Sequence, residues 1–266
     1  MKILIIGGGN MGKTYADSFT ANHTVAKENL YILDHQQKKV DYFKNQGFEN
    51  SFVQPSSYIN EMNLIILAIK PQDAAELHPT VLPYLKNKQL ILSIMAGVTI
   101  SRIEAALPTA RVVRAMPNLP AQIGMGITGF TASAAVTREE LFLIQNLLNT
   151  TGKSLYFEDE SKLDAVTAIS GSGPAYVYFF MEAMMNTARK MGFSTTEAEL
   201  LVEQTFMGAV HLQNIHTLSC KDWIGKVASK GGTTEAALQT FHHFGLETVI
   251  EKGLQQALER ARELGR

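Results

Sequence analysis

The sequence lacks several things, and each shortage removes a class of protein. It has one cysteine, Cys220, so neither an internal disulfide nor a cysteine-based zinc site can form within the chain. Cys220 itself reads as a small, half-buried hydrophobe. Net charge is −1, with 24 Lys and Arg against 25 Asp and Glu, which leaves no electrostatic case for nucleic acid or a membrane surface as partner. No apolar run approaches the roughly 18 residues needed to span a bilayer. A strand starts almost at once, so no signal peptide is expected, and a cytoplasmic protein is. There is no internal repeat and no low-complexity tract. His211 and His216 are separated by five positions and His242 and His243 are adjacent, but no acidic partners stand with them in a ligand pattern, so no metal site is expected.

What is present is ordinary in bulk. At 266 residues, with 45% hydrophobic and 18% charged residues, the chain fits one large or two medium soluble domains. Lys2-Ile3-Leu4-Ile5-Ile6 is a continuous apolar run, as expected for a strand buried on both faces of a parallel sheet. It leads directly into Gly7-Gly8-Gly9-Asn10-Met11-Gly12 and a helical segment to about Ala21. This is G-x-G-x-x-G in its strand–turn–helix setting, a dinucleotide-binding pattern. Gly7 permits the tight turn, Gly9 lets a pyrophosphate approach the backbone, and Gly12 lets helix and strand pack closely.

The alternation continues through strands at 29–33, 63–68, 89–93 and 111–115, with helical stretches between them. The expected fold of residues 1–157 is therefore a Rossmann-type, doubly wound parallel sheet with right-handed crossovers. Ligands of such sheets bind beyond the carboxyl ends of the strands. The loops at those ends are Ile69-Lys70-Pro71, Ile94-Met95-Ala96-Gly97 and Met116-Pro117-Asn118-Leu119-Pro120. Asp34 closes the second strand, where an acid accepts hydrogen bonds from the adenosine ribose and repels a 2′-phosphate. That favours NAD, yet His35, Lys38 and Lys39 follow at once and offset the repulsion. The coenzyme preference stays open on these residues.

From about residue 158 to 266 only helical stretches are expected. The helix over 175–191 follows Ser170-Gly171-Ser172-Gly173-Pro174, and its first half, Tyr176 to Met185, is apolar almost all round apart from Glu182. Such a helix must be buried on more than one face, and a domain of this size cannot do so alone, so burial against a second subunit is expected. Met184 and Met185 read as core. Further helices are expected over 194–212, 220–226, 234–241 and 245–264.

The stretch Ser229-Lys230-Gly231-Gly232-Thr233-Thr234 reads as a small-residue turn at a helix start. It is a good helix beginning in any protein. It also offers unpaired backbone N–H groups, a favourable dipole and spare hydroxyls, which together suit a small carboxylate or phosphate.

With both halves laid out, the chain resembles the pyrroline-5-carboxylate reductases over essentially its whole length. The motifs that carry the resemblance are Gly9-Asn10-Met11, Ala68-Ile69-Lys70-Pro71, Ala96-Gly97-Val98-Thr99, Arg114-Ala115-Met116-Pro117-Asn118, Ser170-Gly171-Ser172-Gly173-Pro174-Ala175-Tyr176 and Ser229-Lys230-Gly231-Gly232-Thr233-Thr234. The resemblance implies an all-helical dimerisation domain over 158–266, a homodimer or a higher ring of dimers, and reduction of L-1-pyrroline-5-carboxylate to L-proline with NADPH or NADH. Carried over by position, Gly7, Gly8, Gly9, Asn10, Met11, Gly12, Asp34, Ala68, Ile69, Lys70, Pro71, Ile94, Met95, Ala96 and Asn118 would bind the dinucleotide. Ser229, Gly231, Gly232, Thr233 and Thr234 would hold the substrate, with the Thr234 hydroxyl as the catalytic group at the ring nitrogen. The chain departs from the family pattern at Lys230, usually Pro, at Leu119, often Thr, and at Asp34-His35-Gln36, where many members have Asn-Arg-Ser.

Two other readings compete. A β-hydroxyacid-type dehydrogenase would need a general base near the reacting oxygen. The helix where such an enzyme places a lysine offers only Arg189 and Lys190, at its end. A non-catalytic dinucleotide-binding protein would have no use for the carboxylate cradle.

Overall fold

The computed structural model describes residues 1–86, 89–108 and 111–265. The chain begins with β1 (Ile3–Ile6), α1 (Asn10–Ala21), β2 (Leu30–Leu33), α2 (Gln37–Asn45), β3 (Ser51–Phe52), β4 (Leu64–Leu67) and α3 (Ala74–Val81). It continues with β5 (Leu90–Ser93), α4 (Ile100–Ala106), β6 (Arg111–Met116), β7 (Gly126–Ala132), α5 (Arg138–Asn149), β8 (Gly152–Tyr156) and α6 (Lys162–Val166). The strands form one sheet in the order β3-β2-β1-β4-β5-β6-β7-β8.

The apolar run of β1 is buried on both faces. Ile3 and Ile5 join a cluster with Tyr15, Phe19 and Phe43 of α1 and α2 and with Ile144, Leu147 and Leu148 of α5. Leu4 and Ile6 join a second cluster with Val81 of α3 and Ile100 and Ile103 of α4. Helices therefore cover both sides of the sheet, as a doubly wound fold requires. Each such Ile or Leu contributes about 1.5–3 kcal/mol by leaving water.

The expected strands, β1, β2, β4, β5 and β6, are parallel to one another, and the sheet continues past them. β7 runs antiparallel to β6, pairing Val113 with Ala132 and Met116 with Gly129, while β8 is parallel to β7. The nine residues 117–125 between β6 and β7 are too few for a crossover, which takes a dozen or more. They instead form a short 3-10 turn, Leu119–Ile123, that reverses direction at Gly124.

Arg114 of β6 is almost fully buried and pairs with Glu160 at 3.0 Å and Asp164 at 2.6 Å. Glu160 Oε1 also accepts the N–H of Ile100, at 2.8 Å. The triad joins β6, the start of α4 and the start of α6. Removing one member would strand a buried charge, at a cost of about 3–5 kcal/mol.

The sheet ends at Tyr156, close to the expected domain boundary, but the compact units divide further on. One unit is Met1–Gly173 with the chain from Ala257 onward; the other is Pro174–Gln256. Between α6 and the next helix lies a π-helical turn, Thr167–Gly171. The remaining helices are α7 (Gly173–Lys190), α8 (Thr195–Asn214), α9 (Cys220–Val227), α10 (Thr233–His243) and α11 (Leu246–Leu264). The final turns of α11 pack in the first unit, where a Cβ on Gly97 would lie 2.8 Å from the nitrogen of Gly265 and 2.9 Å from the carbonyl oxygen of Ala261.

In the helical unit, taken as one chain, Tyr178, Phe179, Leu200, Val210 and Phe244 are more than half exposed. Exposed apolar side chains in this number mark an interaction surface. The expected Met pair splits: Met185 is buried, whereas Met184 points outward and is 46% exposed. Cys220, expected to be half-buried, is exposed, because it stands in the first turn of α9 beyond the Ser219 cap.

His78 of α3 is buried, and its Nε2 has no hydrogen-bond partner among the described residues. Desolvation, helped by the Arg102 charge, holds its pKa below the ordinary histidine value. The folded state therefore resists a proton that the unfolded chain accepts near pH 6.5. The stability this contributes is complete above that pH and is lost as pH falls through it. We expect Tm to fall between about pH 7.5 and about pH 5.5, and to fall less in His78→Phe; equal slopes would remove His78 from the acid response.

Candidate active site

The coenzyme side is built by strand ends. β1, β4, β5 and β6 are neighbours and parallel, so Gly7 to Gly12, Ala68 to Pro71, Ile94 to Ala96 and Met116 to Asn118 all leave the same edge of the sheet. Gly7 has φ +107°, and a Cβ there would run into the carbonyl of Ala68. A Cβ on Gly12 would strike the Gly7 carbonyl oxygen. At Gly9, by contrast, a Cβ would meet nothing within 4 Å. Position 9 is thus open space over the turn, at the N-cap of α1, where unpaired N–H groups and the helix dipole favour a phosphate. The residues present fit a dinucleotide.

The other strand-end residues divide. Ala68, Ile69, Pro71, Ile94 and Ala96 are half-buried at the edge, and Asn10 and Lys70 are exposed. Met11 and Ile94 pack partly against the core. Met95 is 1% exposed and its side chain belongs to the core, so only its backbone remains for a ligand. Asn118 Oδ1 accepts the N–H of Ile127 at 2.9 Å, which leaves its NH2 as the donating group.

Asp34 lies beneath the turn, with its side chain 3% exposed. Its Oδ2 accepts the N–H of Gly8 at 2.8 Å and the Lys39 ammonium at 2.9 Å, and its Oδ1 accepts the N–H of Gln36 at 2.9 Å. Burial pushes the carboxyl up, but the donors from Gln36, Lys39 and Gly8 outweigh it and hold it below the ordinary aspartate range. Sequence reasoning found the acid and the nearby lysines. It missed the bond to Gly8, because nothing in the pattern joins positions 26 residues apart.

The second candidate element lies in the helical unit and is described by itself. α9 ends at Val227 and α10 begins at Thr233, with Gly232 as an N-cap that has no side-chain cap. Gly231 adopts φ +73°, which makes the turn. Two of its amides are already engaged: Gly232 N–H donates to the Ser229 carbonyl at 2.9 Å, and Gly231 N–H to Glu235 Oε2 at 2.7 Å. Glu235, in the first turn of α10, was not among the expected site residues, although an acid three residues past an N-cap is a legible capping signal. Among the described residues the N–H groups of Thr233 and Thr234 have no such partner. Lys230 is exposed in the same turn. Among the described residues no group of three or more His, Cys, Asp or Glu is placed to hold a metal.

Comparison with known proteins agrees with both halves. A family model described as pyrroline-5-carboxylate reductase dimerisation matches residues 160–264, and one described as an NADP oxidoreductase, coenzyme F420-dependent, matches residues 2–97. A pyrroline-5-carboxylate reductase of Pseudomonas aeruginosa is 38% identical over 99% of this chain and 96% of its own. The solved structure of a pyrroline-5-carboxylate reductase from Coxiella burnetii superposes with a TM-score of 0.88 at 31% identity, covering 100% of this chain and 98% of that one. The Plasmodium falciparum pyrroline carboxylate reductase, solved with NADP bound, gives 0.90 at 26% identity with the same coverage. The fold, the glycine turn and these likenesses define a dinucleotide-dependent oxidoreductase with a helical dimerisation half. The chain belongs to the pyrroline-5-carboxylate reductase family.

The glycine contacts separate folding from binding. Gly12→Ala must move backbone and is expected to lower Tm by several degrees, since a strained core substitution costs about 1–3 kcal/mol. Gly9→Ala meets open space and should leave Tm within about 2 °C while weakening dinucleotide binding about tenfold or more, because the lost approach is to the ligand. Thermal melts paired with a dinucleotide titration check both.

Proposed function

We propose that this chain reduces the C=N bond of L-1-pyrroline-5-carboxylate to give L-proline, as its family name describes, with the coenzyme on the turn after β1 and the substrate carboxylate at the start of α10. A bound reduced nicotinamide dinucleotide supplies the hydride. The protein's own task is to hold the substrate so that its imine carbon faces that hydride, and to manage the charge at nitrogen.

The carboxylate is received by the free N–H groups of Thr233 and Thr234, assisted by the Ser229 hydroxyl and the helix dipole. Gly231 and Gly232 shape the turn, and their small size lets the ligand reach the backbone. The Thr234 hydroxyl meets the ring nitrogen. A protonated imine loses its positive charge as hydride arrives, so the group beside it needs to hold position and accept or donate a hydrogen bond. It does not need to abstract a proton. The residues expected to hold the substrate, Ser229, Gly231, Gly232, Thr233 and Thr234, are hydroxyls and glycines, which suits this reaction better than alcohol oxidation, where a general base is required.

The observation that carries the reading is the chain's membership of this family along its whole length; the open space at Gly9 in one unit and the uncapped start of α10 in the other each support it separately. We further propose that the protein acts in the cytoplasm as a homodimer or a ring of dimers, supported by the exposed apolar face of the helical unit and the match to the dimerisation model.

Oxidation of NADPH and NADH on addition of L-1-pyrroline-5-carboxylate tests the activity directly. Thr234→Ala is expected to lower kcat about 10- to 1000-fold with the fold intact, the range for losing one transition-state donor. Unchanged kcat would remove Thr234 from the mechanism. Glu235→Gln keeps an oxygen to accept from Gly231 but removes a negative charge from the turn proposed for the carboxylate, and two like charges a few ångströms apart in water repel by about 0.5–1 kcal/mol. KM for the substrate should then fall roughly threefold, with the KM for coenzyme unchanged; a rise would mean that Glu235 serves only to hold the turn.

A further inference from the structure

An acid at the end of the second strand is ordinarily the group that grips the ribose hydroxyls and excludes a 2′-phosphate. The surroundings of Asp34 do not suit that task. An ionised carboxylate has about two acceptor sites on each oxygen. Both sites on Oδ2 are taken, one by the N–H of Gly8 and one by the Lys39 ammonium. Oδ1 is taken on one side by the N–H of Gln36, and the side chain is 3% exposed. Of this ion pair, solvent reaches mainly Lys39, whose side chain is 34% exposed against 3% for Asp34.

The same bonds have a mechanical effect. Gly8 is the middle of the three glycines, and its amide is tied to a residue just past the end of the neighbouring strand, β2. The ring of Phe43 and the Asp34 carboxylate also fill the space a side chain at position 8 would need, since a Cβ there would lie 2.7 Å from the ring and 3.4 Å from Oδ2. The Gly8 amide is held by a hydrogen bond and its α-carbon is crowded. The turn that must present its backbone to the pyrophosphate is thereby fixed before any ligand arrives.

The local charge points the same way. Asp34 is followed by Lys38, exposed, and Lys39, and His35 is exposed on the same turn with its ring nitrogen 3.8 Å from Asp34 Oδ1. Asp34 is buried and ion-paired, and the exposed Asp41 of α2 is bonded to Gln37, whereas Lys38 and Lys39 lie at or near the surface. The charge next to Asp34 that solvent reaches is a cation.

We propose that Asp34 is a positioning residue that pins the Gly8 amide, and that Lys39 is the specificity-determining residue that meets the 2′ substituent of the adenosine ribose. On this assignment the chain accepts a 2′-phosphorylated coenzyme although it carries an acid at the end of β2. The inference rests on the reading of the turn after β1 as the coenzyme site.

Equilibrium binding of NADPH and NADH to the full-length protein, without substrate, tests it through coenzyme fluorescence. The wild type should bind NADPH about tenfold or more tightly than NADH. Lys39→Gln should weaken NADPH about tenfold to a hundredfold, the worth of a charge-assisted hydrogen bond, and leave NADH within about threefold. Asp34→Asn should weaken both coenzymes together, with their ratio within about threefold of wild type. The double variant should stay weak for NADPH, since Lys39 acts by contact and not only by masking Asp34.

Three outcomes would overturn the assignment: tighter binding of NADH by the wild type, no effect of Lys39→Gln on NADPH, or loss of NADH binding alone in Asp34→Asn. If Asp34→Asn does not fold, Lys39→Gln and the wild-type ratio decide, since neither removes the bond to Gly8. Binding of neither coenzyme would instead sink the coenzyme site itself, and this inference with it.

Discussion

The carbonyl of Gly7 comes so close to position 12 that only glycine fits there, and that approach fixes where α1 starts relative to β1. Three things follow from this one contact. The first turn of α1 is aimed along the strand edge, with its unpaired N–H groups toward solvent. Open space is left above Gly9. The neighbouring strand end at Ala68 is drawn against Gly7, so the loops after β1 and β4 form one rim. The rest of the first unit supports this arrangement: β1 is held by apolar clusters on both faces, and Asp34 holds Gly8 from below.

A second theme joins the two candidate elements, although they lie in different units. In each, most polar groups are already partnered within the protein. Asp34 is taken up by Gly8, Gln36 and Lys39; Asn118 by Ile127; the Gly231 and Gly232 amides by Glu235 and Ser229. What remains for ligands is a small remainder: the N–H groups at two helix starts, a few threonine and serine hydroxyls, and the surface lysines. Pre-bonded groups of this kind do not reorganise when a ligand arrives, and so they do not weaken its binding.

How much of this was legible in the sequence depends on how local each feature is. The buried parallel strands were readable because their apolar runs are continuous: Leu64–Leu67 and Leu90–Ser93 appear within a residue of where they were expected. The helices of the second half were found to within about two residues, because caps such as Ser194 with Glu197 mark their starts in the sequence itself. β7 and β8 were not found. Gly126–Ala132 holds two glycines and two threonines, and Gly152–Tyr156 is short and mostly exposed, so neither shows the pattern of a buried strand. Their pairing depends on β6 and on the turn before them. The Arg114 triad was equally hidden, since its carboxylates lie 46 and 50 residues away. At the site, the glycine turn and the Thr233–Thr234 cradle could be read from contiguous residues, whereas the state of Asp34 could not. Its identity was visible, but the direction its carboxylate faces is set by Gly8 and Lys39 in three dimensions.

The close seat of the last helical turns on Gly97 bears on how this protein can be handled. The chain leaves the first unit at Gly173 and comes back to it at Ala257, so the coenzyme-binding unit is closed by residues from the far end of the sequence. An excised N-terminal fragment would lack that seal and expose the loop after β5, one of the strand ends at the coenzyme rim. Work on either half in isolation calls for a circularly rearranged chain that carries its final segment along, and an affinity handle is better placed ahead of β1 than behind α11.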